Sequence, residues 1–242
     1  MIRNRFTAVG ALTAAVLFAA AANAAVVTFD NGQEGWEGPQ GPGGASFIDG
    51  SDGNPAASYR TQFNNFGIDF INSTNPAFIG NFTTDSALEF SVDIKARQVE
   101  FFFQPVSRSV MVEFRNSALA QGTPYPWVSV WYELGVISSG LDWTTWSVNI
   151  ADTNSLTLPA GWGGYGDEDP NTFEPRLPPG VTFRDVLAGV DTVAISTLIP
   201  GFFFGFTDFD VSIDNVTLTR VPAPGAAGVV LVGAGAMLRR RR

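Results

Sequence analysis

An all-β fold, a sandwich or a barrel, is what this chain of 242 residues predicts, and three observations predict it. Gly 26 and Pro 15 supply many turns, while Phe 21 and Trp 6 supply the bulky side chains that suit short, half-buried strands. Several stretches alternate apolar and polar residues with a period of two, the mark of a strand with one wet face. At 45% apolar residues there is ample material for a packed core. All-β folds commonly reach roughly 200–250 residues as one domain, and no linker or repeat divides this one.

The clearest alternation is Leu88-Glu89-Phe90-Ser91-Val92-Asp93-Ile94-Lys95, apolar inward and polar outward. Strands are also expected at Val26 to Phe29, Val110 to Phe114, Trp127 to Tyr132, Trp143 to Ile150, Val190 to Ile195 and Val211 to Thr219. In the last of these the apolar phase slips between Ile213 and Val216. A one-residue slip at Asp214-Asn215 predicts a β-bulge. Phe183 and Leu187 stand four apart in Phe183-Arg184-Asp185-Val186-Leu187-Ala188, the spacing of a short helix. Gly38 to Asn54 and Pro159 to Gly180 are turn-rich; the second is long for a loop, which marks it as functional or partly disordered.

Both ends read as addresses. Arg3 and Arg5 precede an apolar run from Ala8 to Ala22, which closes on Ala22-Asn23-Ala24. A basic start, an apolar middle and an A-x-A site define a secretory signal peptide over residues 1–24, with signal peptidase as the implied partner. The alternative, an uncleaved anchor, needs a span of about 20 apolar residues, and this run is shorter. At the other end, Val221-Pro222-Ala223-Pro224 leads into an apolar run, Gly225 to Leu238, and then Arg239-Arg240-Arg241-Arg242. Two short apolar helices are therefore expected to flank a body of residues 25–220. The terminal arginines favour the cytoplasmic side and leave the body outside.

Charge and missing residue types narrow the chemistry. The net charge is −9. Six of the fourteen basic residues lie at the two ends, so the middle sets eight against all 23 acidic ones, about −15. Such a body is repelled by phosphates, and nucleic-acid binding is excluded as a function. There is no Cys and no His, which removes a disulfide framework, Ser-His-Asp and Cys-His catalysis and ordinary zinc sites. No P-loop or dinucleotide fingerprint is present.

The tail 221–242 resembles the PEP-CTERM sorting signal of Gram-negative bacteria in a Val-Pro-x-Pro form, with Ala223 where the family usually has Glu. The resemblance implies transient anchoring in the inner membrane, then cleavage near Pro222-Ala223-Pro224 by an exosortase-type protease and release to the outer surface. A plain C-terminal anchor is the alternative. The body carries Phe29-Asp30, Glu34-Gly35-Trp36 and Gly53-Asn54-Pro55, then Phe78-Ile79-Gly80-Asn81 before Leu88-Glu89-Phe90-Ser91-Val92. Phe183 to Ala188, Val193-Ala194-Ile195 and Ile213-Asp214-Asn215-Val216-Thr217-Leu218 complete the series. In that order these motifs resemble bacterial laminin B (laminin IV type A) domains, with Thr84-Asp85-Ser86 in place of the family's Tyr-Gly-Gly. The resemblance implies a galactose-binding-like jelly-roll β-sandwich, an architecture shared with many carbohydrate-binding modules. It does not fix a ligand.

Three sets of residues could carry chemistry. Asp30, Asp49, Asp52, Asn54 and Asp214 are oxygen ligands in or beside turns, and Ca²⁺ takes six to eight such oxygens. The resemblance implies that the first strand, an early Asp-rich loop and the last strand meet around a structural calcium. The same residues also serve as plain turn-formers. Trp127, Trp131, Tyr132, Trp143, Trp146, Trp162 and Tyr165 offer aromatic faces on which sugar rings stack, although Trp in a sandwich is commonly core. Trp162 and Tyr165, in a Gly-rich loop, are the ones expected to be exposed; Trp127 and Trp131 share one face of their strand and Val128, Val130 and Tyr132 the other, and one of these two faces is core. Glu113, Glu133 and Asp167-Glu168-Asp169 offer carboxylates, but no pair at a spacing that signals a glycosidase.

The expectation is a non-enzymatic, exported adhesion or carbohydrate-binding module of the cell surface or extracellular matrix, facing extracellular polysaccharide. Its rivals are a structural matrix protein without a discrete ligand and an enzyme acting on polysaccharide.

Overall fold

The computed structural model describes residues 22–202 and 205–223. Apart from Ala22, the two apolar end runs lie outside the described residues, as do Pro224, Arg239 to Arg242 and the flanking helices expected there. Among the described residues no helix is long and apolar enough to cross a membrane.

In chain order the strands are β1 (Asn23–Val27), β2 (Trp36–Glu37), β3 (Gly44–Asp49), β4 (Ser58–Asn65), β5 (Asp69–Asn72), β6 (Asp85–Phe101), β7 (Gln104–Pro105) and β8 (Ser107–Asn116). There follow β9 (Val128–Ser138), β10 (Leu141–Ile150), β11 (Trp162–Tyr165), β12 (Asp167–Glu168), β13 (Pro175–Arg176), a short helix α1 (Phe183–Leu187), β14 (Thr192–Ser196) and β15 (Thr207–Pro222). They form two large antiparallel sheets. The first runs β10-β6-β15-β4-β3, with β1 added to β15 and β7 to β6; the second runs β11-β9-β8-β14-β5-β2. The small hairpin β12-β13 stands apart from both. The expected all-β sandwich is therefore present.

Alternation builds the core. Phe90, Val92 and Ile94 of β6 and Val211 and Ile213 of β15 are at most 2% exposed, as are Val112 and Phe114 of β8 and Val193 and Ile195 of β14. They belong to one cluster filling the space between the sheets, each contributing about 1.5–3 kcal/mol by burial. Their odd-numbered or even-numbered neighbours face outward, so the two sandwich faces are written by the same alternation.

The bulge expected near Asp214-Asn215 is found: the β15–β6 register jumps between Asp214 and Thr217, and Asn215 adopts φ 48. The helix expected at Phe183 is α1, whose N-terminus is closed by a reciprocal capping box between Thr182 and Asp185. The segment Pro159 to Gly180, expected as a loop, holds β11 and the β12-β13 hairpin. At the chain ends, Asn23 and Ala24 pair with Arg220 and Thr219, and Val221 and Pro222 continue β15 opposite Ala87 and Asp85. The first part of Val221-Pro222-Ala223 is thus sheet, and so is the Asn23-Ala24 step next to Ala22.

Candidate functional site

The outer face of the second sheet holds a buried polar cluster beneath aromatic rings. On β8, Val112 and Phe114 point into the core, so Glu113 and Arg115 share the outer face. They are only 2% and 7% exposed. Arg115 Nε donates to Glu113 Oε2 at 2.7 Å, and its Nη2 lies 3.6 Å from Asp69 Oδ2 on β5. The guanidinium lies 4.1 Å over the Trp127 ring, a cation–π contact. Trp127 Nε1 donates to Glu113 Oε1 at 3.0 Å, and the Ser129 hydroxyl donates to the same oxygen. One guanidinium is shared between two carboxylates. Burial, reinforced by the Glu113 charge, raises the Asp69 carboxyl above its ordinary value against the pull of Arg115.

A cavity of about 200 Å³ opens over this cluster, lined by Asp69, Glu113, Arg115, Trp127 and Tyr165, with Leu198 and Pro200 on its far wall. Tyr165 stands 6.2 Å from Trp127 and 5.4 Å from Tyr125, ring centre to ring centre. Burial first, then the Glu113 charge, raises the Tyr165 hydroxyl above its usual value, so it is a neutral donor. Aromatic rings, fixed donors and fixed acceptors therefore converge on one concavity.

The aromatic residues singled out in the sequence divide. Trp127 and Tyr165 line the cavity. Trp131, half-buried on the same face of β9, lies flat over Gly163, where a Cβ would stand 2.2 Å from its ring. Trp162 does not fulfil the expectation of exposure. It is 7% exposed on β11, packed against Phe114, Tyr132 and Phe183 at 5.2–6.1 Å. The glycines around it suggested a loop, whereas Gly163 makes room for Trp131 within a strand. Trp143 lies at the other sheet, donating from Nε1 to Asp52 at 3.1 Å, and Trp146 packs against the core. Glu113, Arg115 and Asp69 are the residues that sequence reading did not assemble. Glu113 and Arg115 stand two apart in an alternating strand, which is the available signal; Asp69 joins them only through the β5–β14–β8 order.

Of the carboxylates considered for hydrolysis, Glu113 belongs to this cluster, and three others are engaged elsewhere. Glu133 accepts from Ser109 at 2.7 Å, and Asp167 and Asp169 pair with Arg176.

The five calcium candidates split into two groups. Asp49 accepts from Ser51 and pairs with Arg60 at 2.9 Å; Asp52 pairs with Lys95 and Arg97. Neither is turned toward a common centre with the others. Asp30, Asn54 and Asp214 do gather, with Asp93 of β6 as a member the sequence did not single out. Asn54 N donates to Asp214, while Asn54 Nδ2 and Asn215 Nδ2 donate to Asp93 at 2.9 and 2.8 Å. Burial raises Asp214 to about 6, and the charges of Asp93 and Asp30 add to it. Among the described residues no set of three or more acidic groups is arranged as a ready-made metal cage. The surplus negative charge fits a cation, but the oxygens are met by neutral N–H donors.

No family model matches the chain, and no curated protein matches it. Among solved structures it is similar to the family 11 carbohydrate-binding module of the cellulosomal cellulase Lic26A-Cel5E of Clostridium thermocellum, at 13% identity and TM-score 0.47, over 84% of this chain and 96% of that one. It is also similar to the CBM22-1 xylan-binding domain of Paenibacillus barcinonensis Xyn10C, at 11% identity and TM-score 0.45, over 85% and 99%. A third is the CBM22-1–GH10 portion of a Clostridium thermocellum xylanase complexed with xylohexaose, at 12% identity and TM-score 0.42. That match covers 81% of this chain but only 28% of the xylanase chain.

Proposed function

We propose that the sandwich is a non-catalytic carbohydrate-binding domain that takes a neutral saccharide in the Trp127–Tyr165 cavity. The observation that carries this reading is the joint lining of one cavity by two aromatic rings and a prealigned Glu113–Arg115–Asp69 cluster. A sugar ring presents apolar C–H faces and a fringe of hydroxyls, and such a lining answers both. Arg115 is already held by two carboxylates, so it offers no free cation to a uronate or sulfate ester, and the ligand is neutral.

The domain is read as exported: signal peptidase removes residues 1–24, and an exosortase-type protease processes the tail after transient anchoring in the inner membrane. Its place is the outer surface or the extracellular matrix. Asp30, Asn54 and Asp214, with Asp93 beside them, form no ready-made cage, and a structural calcium there would have to displace the amide donors now on Asp93 and Asp214.

The test is binding of a panel of neutral polysaccharides to the purified domain by calorimetry. Trp127→Ala should weaken binding by about 2 kcal/mol, roughly 30-fold, as loss of a central aromatic anchor does. Tyr165→Ala should weaken it less, and Trp143→Ala on the opposite sheet should leave it unchanged. Failure of every neutral glycan to bind would overturn the reading. Glycan turnover that Glu113→Gln abolishes would establish an enzyme instead.

A further inference from the structure

The face that carries the cavity is not an open groove. The turn after β14, Leu198 to Phe202, lies against the outer face of β8 and β9, where its residues line two cavities. Its far point is Gly201 at φ 83, where an added Cβ would stand 3.0 Å from the Pro175 ring of β13, beyond β11. Phe202 N donates to Ile199 O at 3.2 Å, which closes the turn on itself. Ile199, within the turn, is 4% exposed, and Met111, on the outer side of β8, is 1% exposed.

This strap divides the face. On one side lies the cavity of Glu113, Arg115, Trp127 and Tyr165, walled by Leu198 and Pro200. On the other lies a second cavity of about 200 Å³ over Ser107, Ser109 and Glu133, walled by Ile199 and Phe202. Along β8 the order is therefore cavity, covered Met111, cavity, with the strap between. Each is below the roughly 300–1,000 Å³ of a pocket for a drug-sized ligand, a size suited to about one sugar ring. A polymer lying along the face from one cavity to the other would meet the strap that walls both.

We propose that the Leu198–Phe202 strap makes the Trp127–Tyr165 cavity a blind pocket that captures the end of a neutral saccharide chain rather than an internal stretch of polymer. This rests on the glycan reading above. The strap, not the aromatic pair, sets the specificity, because it supplies the wall against which a terminal ring stops.

The experiment measures stoichiometry against chain length. The full domain is titrated with trisaccharide, hexasaccharide and soluble polymer of β-1,4-linked glucose, β-1,4-linked xylose and β-1,3-linked glucose. An end-binder takes one protein per chain end at every length, with unchanged affinity per end. The Ile199→Gly, Phe202→Gly double variant, with the strap loosened, should bind the polymer with a protein-to-chain ratio that rises with length. A wild-type ratio that already rises with length overturns the strap proposal and leaves the glycan reading standing. No binding of any member by the wild type overturns the glycan reading itself. If the double variant does not fold, the wild-type length series alone decides.

Discussion

Along the outer face of the first sheet two groups of carboxylates lie in succession, under opposite electrostatic conditions. Asp49, Asp52 and Asp210 are interleaved with Arg60, Lys95 and Arg97. Asp30, Asp93 and Asp214 take part in none of the ion pairs among the described residues and accept only from amides and hydroxyls, such as Ala57 N, Asn215 Nδ2 and Thr28 Oγ1. The acids respond accordingly. The Ser51 hydrogen bonds, with Arg60 behind them, hold Asp49 at about 2. Burial pushes Asp210 upward, but the hydrogen bonds from Arg60 and Gln62 outweigh it and leave it below its usual value. Asp214, completely buried and beside two like charges, goes up to about 6. Residue type is the same in both groups; what differs is whether the strand pairing brings a cation alongside. Arg60 and Asp210 share a face of the β4–β15 pair, whereas Asp214 stands directly opposite Asp93.

The largest effect comes from making the first group resemble the second. Arg60 donates Nε and Nη2 to both oxygens of Asp210, at 2.7 and 2.6 Å, and Nη1 to Asp49. Arg60→Met removes this shared cation, leaving Asp210 with Gln62 and the longer Arg97 contact at 3.4 Å and Asp49 with its Ser51 bonds. Breaking a buried pair costs about 3–5 kcal/mol; this side chain is 19% exposed and both carboxylates keep other donors, so the loss should be at most about 3 kcal/mol, read as a fall in the urea midpoint at constant slope. Lys95→Met, which removes a more exposed partner, should cost under about 1 kcal/mol. Equal losses from the two variants would mean that bidentate geometry contributes nothing.

How far this contrast was legible from the chain depends on the range of the pairing involved. The alternation of Leu88 to Lys95 placed Asp93 and Lys95 outward, and the phase slip at Asp214-Asn215 located the bulge, because both are local. Strand β4 was not anticipated: Tyr59, Thr61 and Phe63 alternate inward, but Thr61 breaks the apolar signal and leaves only two apolar residues among Arg60, Gln62 and Asn64. The site shows the same limit. Trp127 was a candidate, yet its partners Glu113 and Arg115 became neighbours only through the β8–β9 register, which sets Arg115 opposite Ser129. Trp162 was misplaced because glycines signal turns locally, while its burial depends on Phe114 and Phe183, distant in sequence.

Calcium sharpens the comparison next. A ligand that binds only the folded domain stabilises it by about 2.7 kcal/mol at a hundredfold excess over its dissociation constant. For a body of this size that is a rise of roughly 5–10 °C in the unfolding midpoint. The rise should appear on adding calcium after chelator, persist in Asp52→Asn, where the acid already has its arginine, and vanish in Asp214→Asn. No rise in the wild type would show that amide donors alone satisfy the second group.

The effect specific to the charge states is the pH dependence measured in chelator. Asp214 has a folded value of about 6 against an ordinary 3.8, so the native state holds its proton more tightly. Its contribution is fully present below 3.8 and is lost as the pH rises through about 6. Asp49, held at about 2, works the other way: its contribution is present above 3.8 and is lost as the pH falls through about 2. Asp214→Asn should therefore flatten the decline in stability between pH 4 and pH 7, by at most about 2–3 kcal/mol from the linkage of protonation to folding. Asp49→Asn should leave that range untouched and flatten the acid limb below pH 4. Unfolding free energies from urea titrations across pH 2 to 7 give both slopes. A wild-type curve with no decline from pH 4 to 7, or one unchanged by Asp214→Asn, would mean that Asp214 already has a counter-charge in solution and that the two groups do not differ.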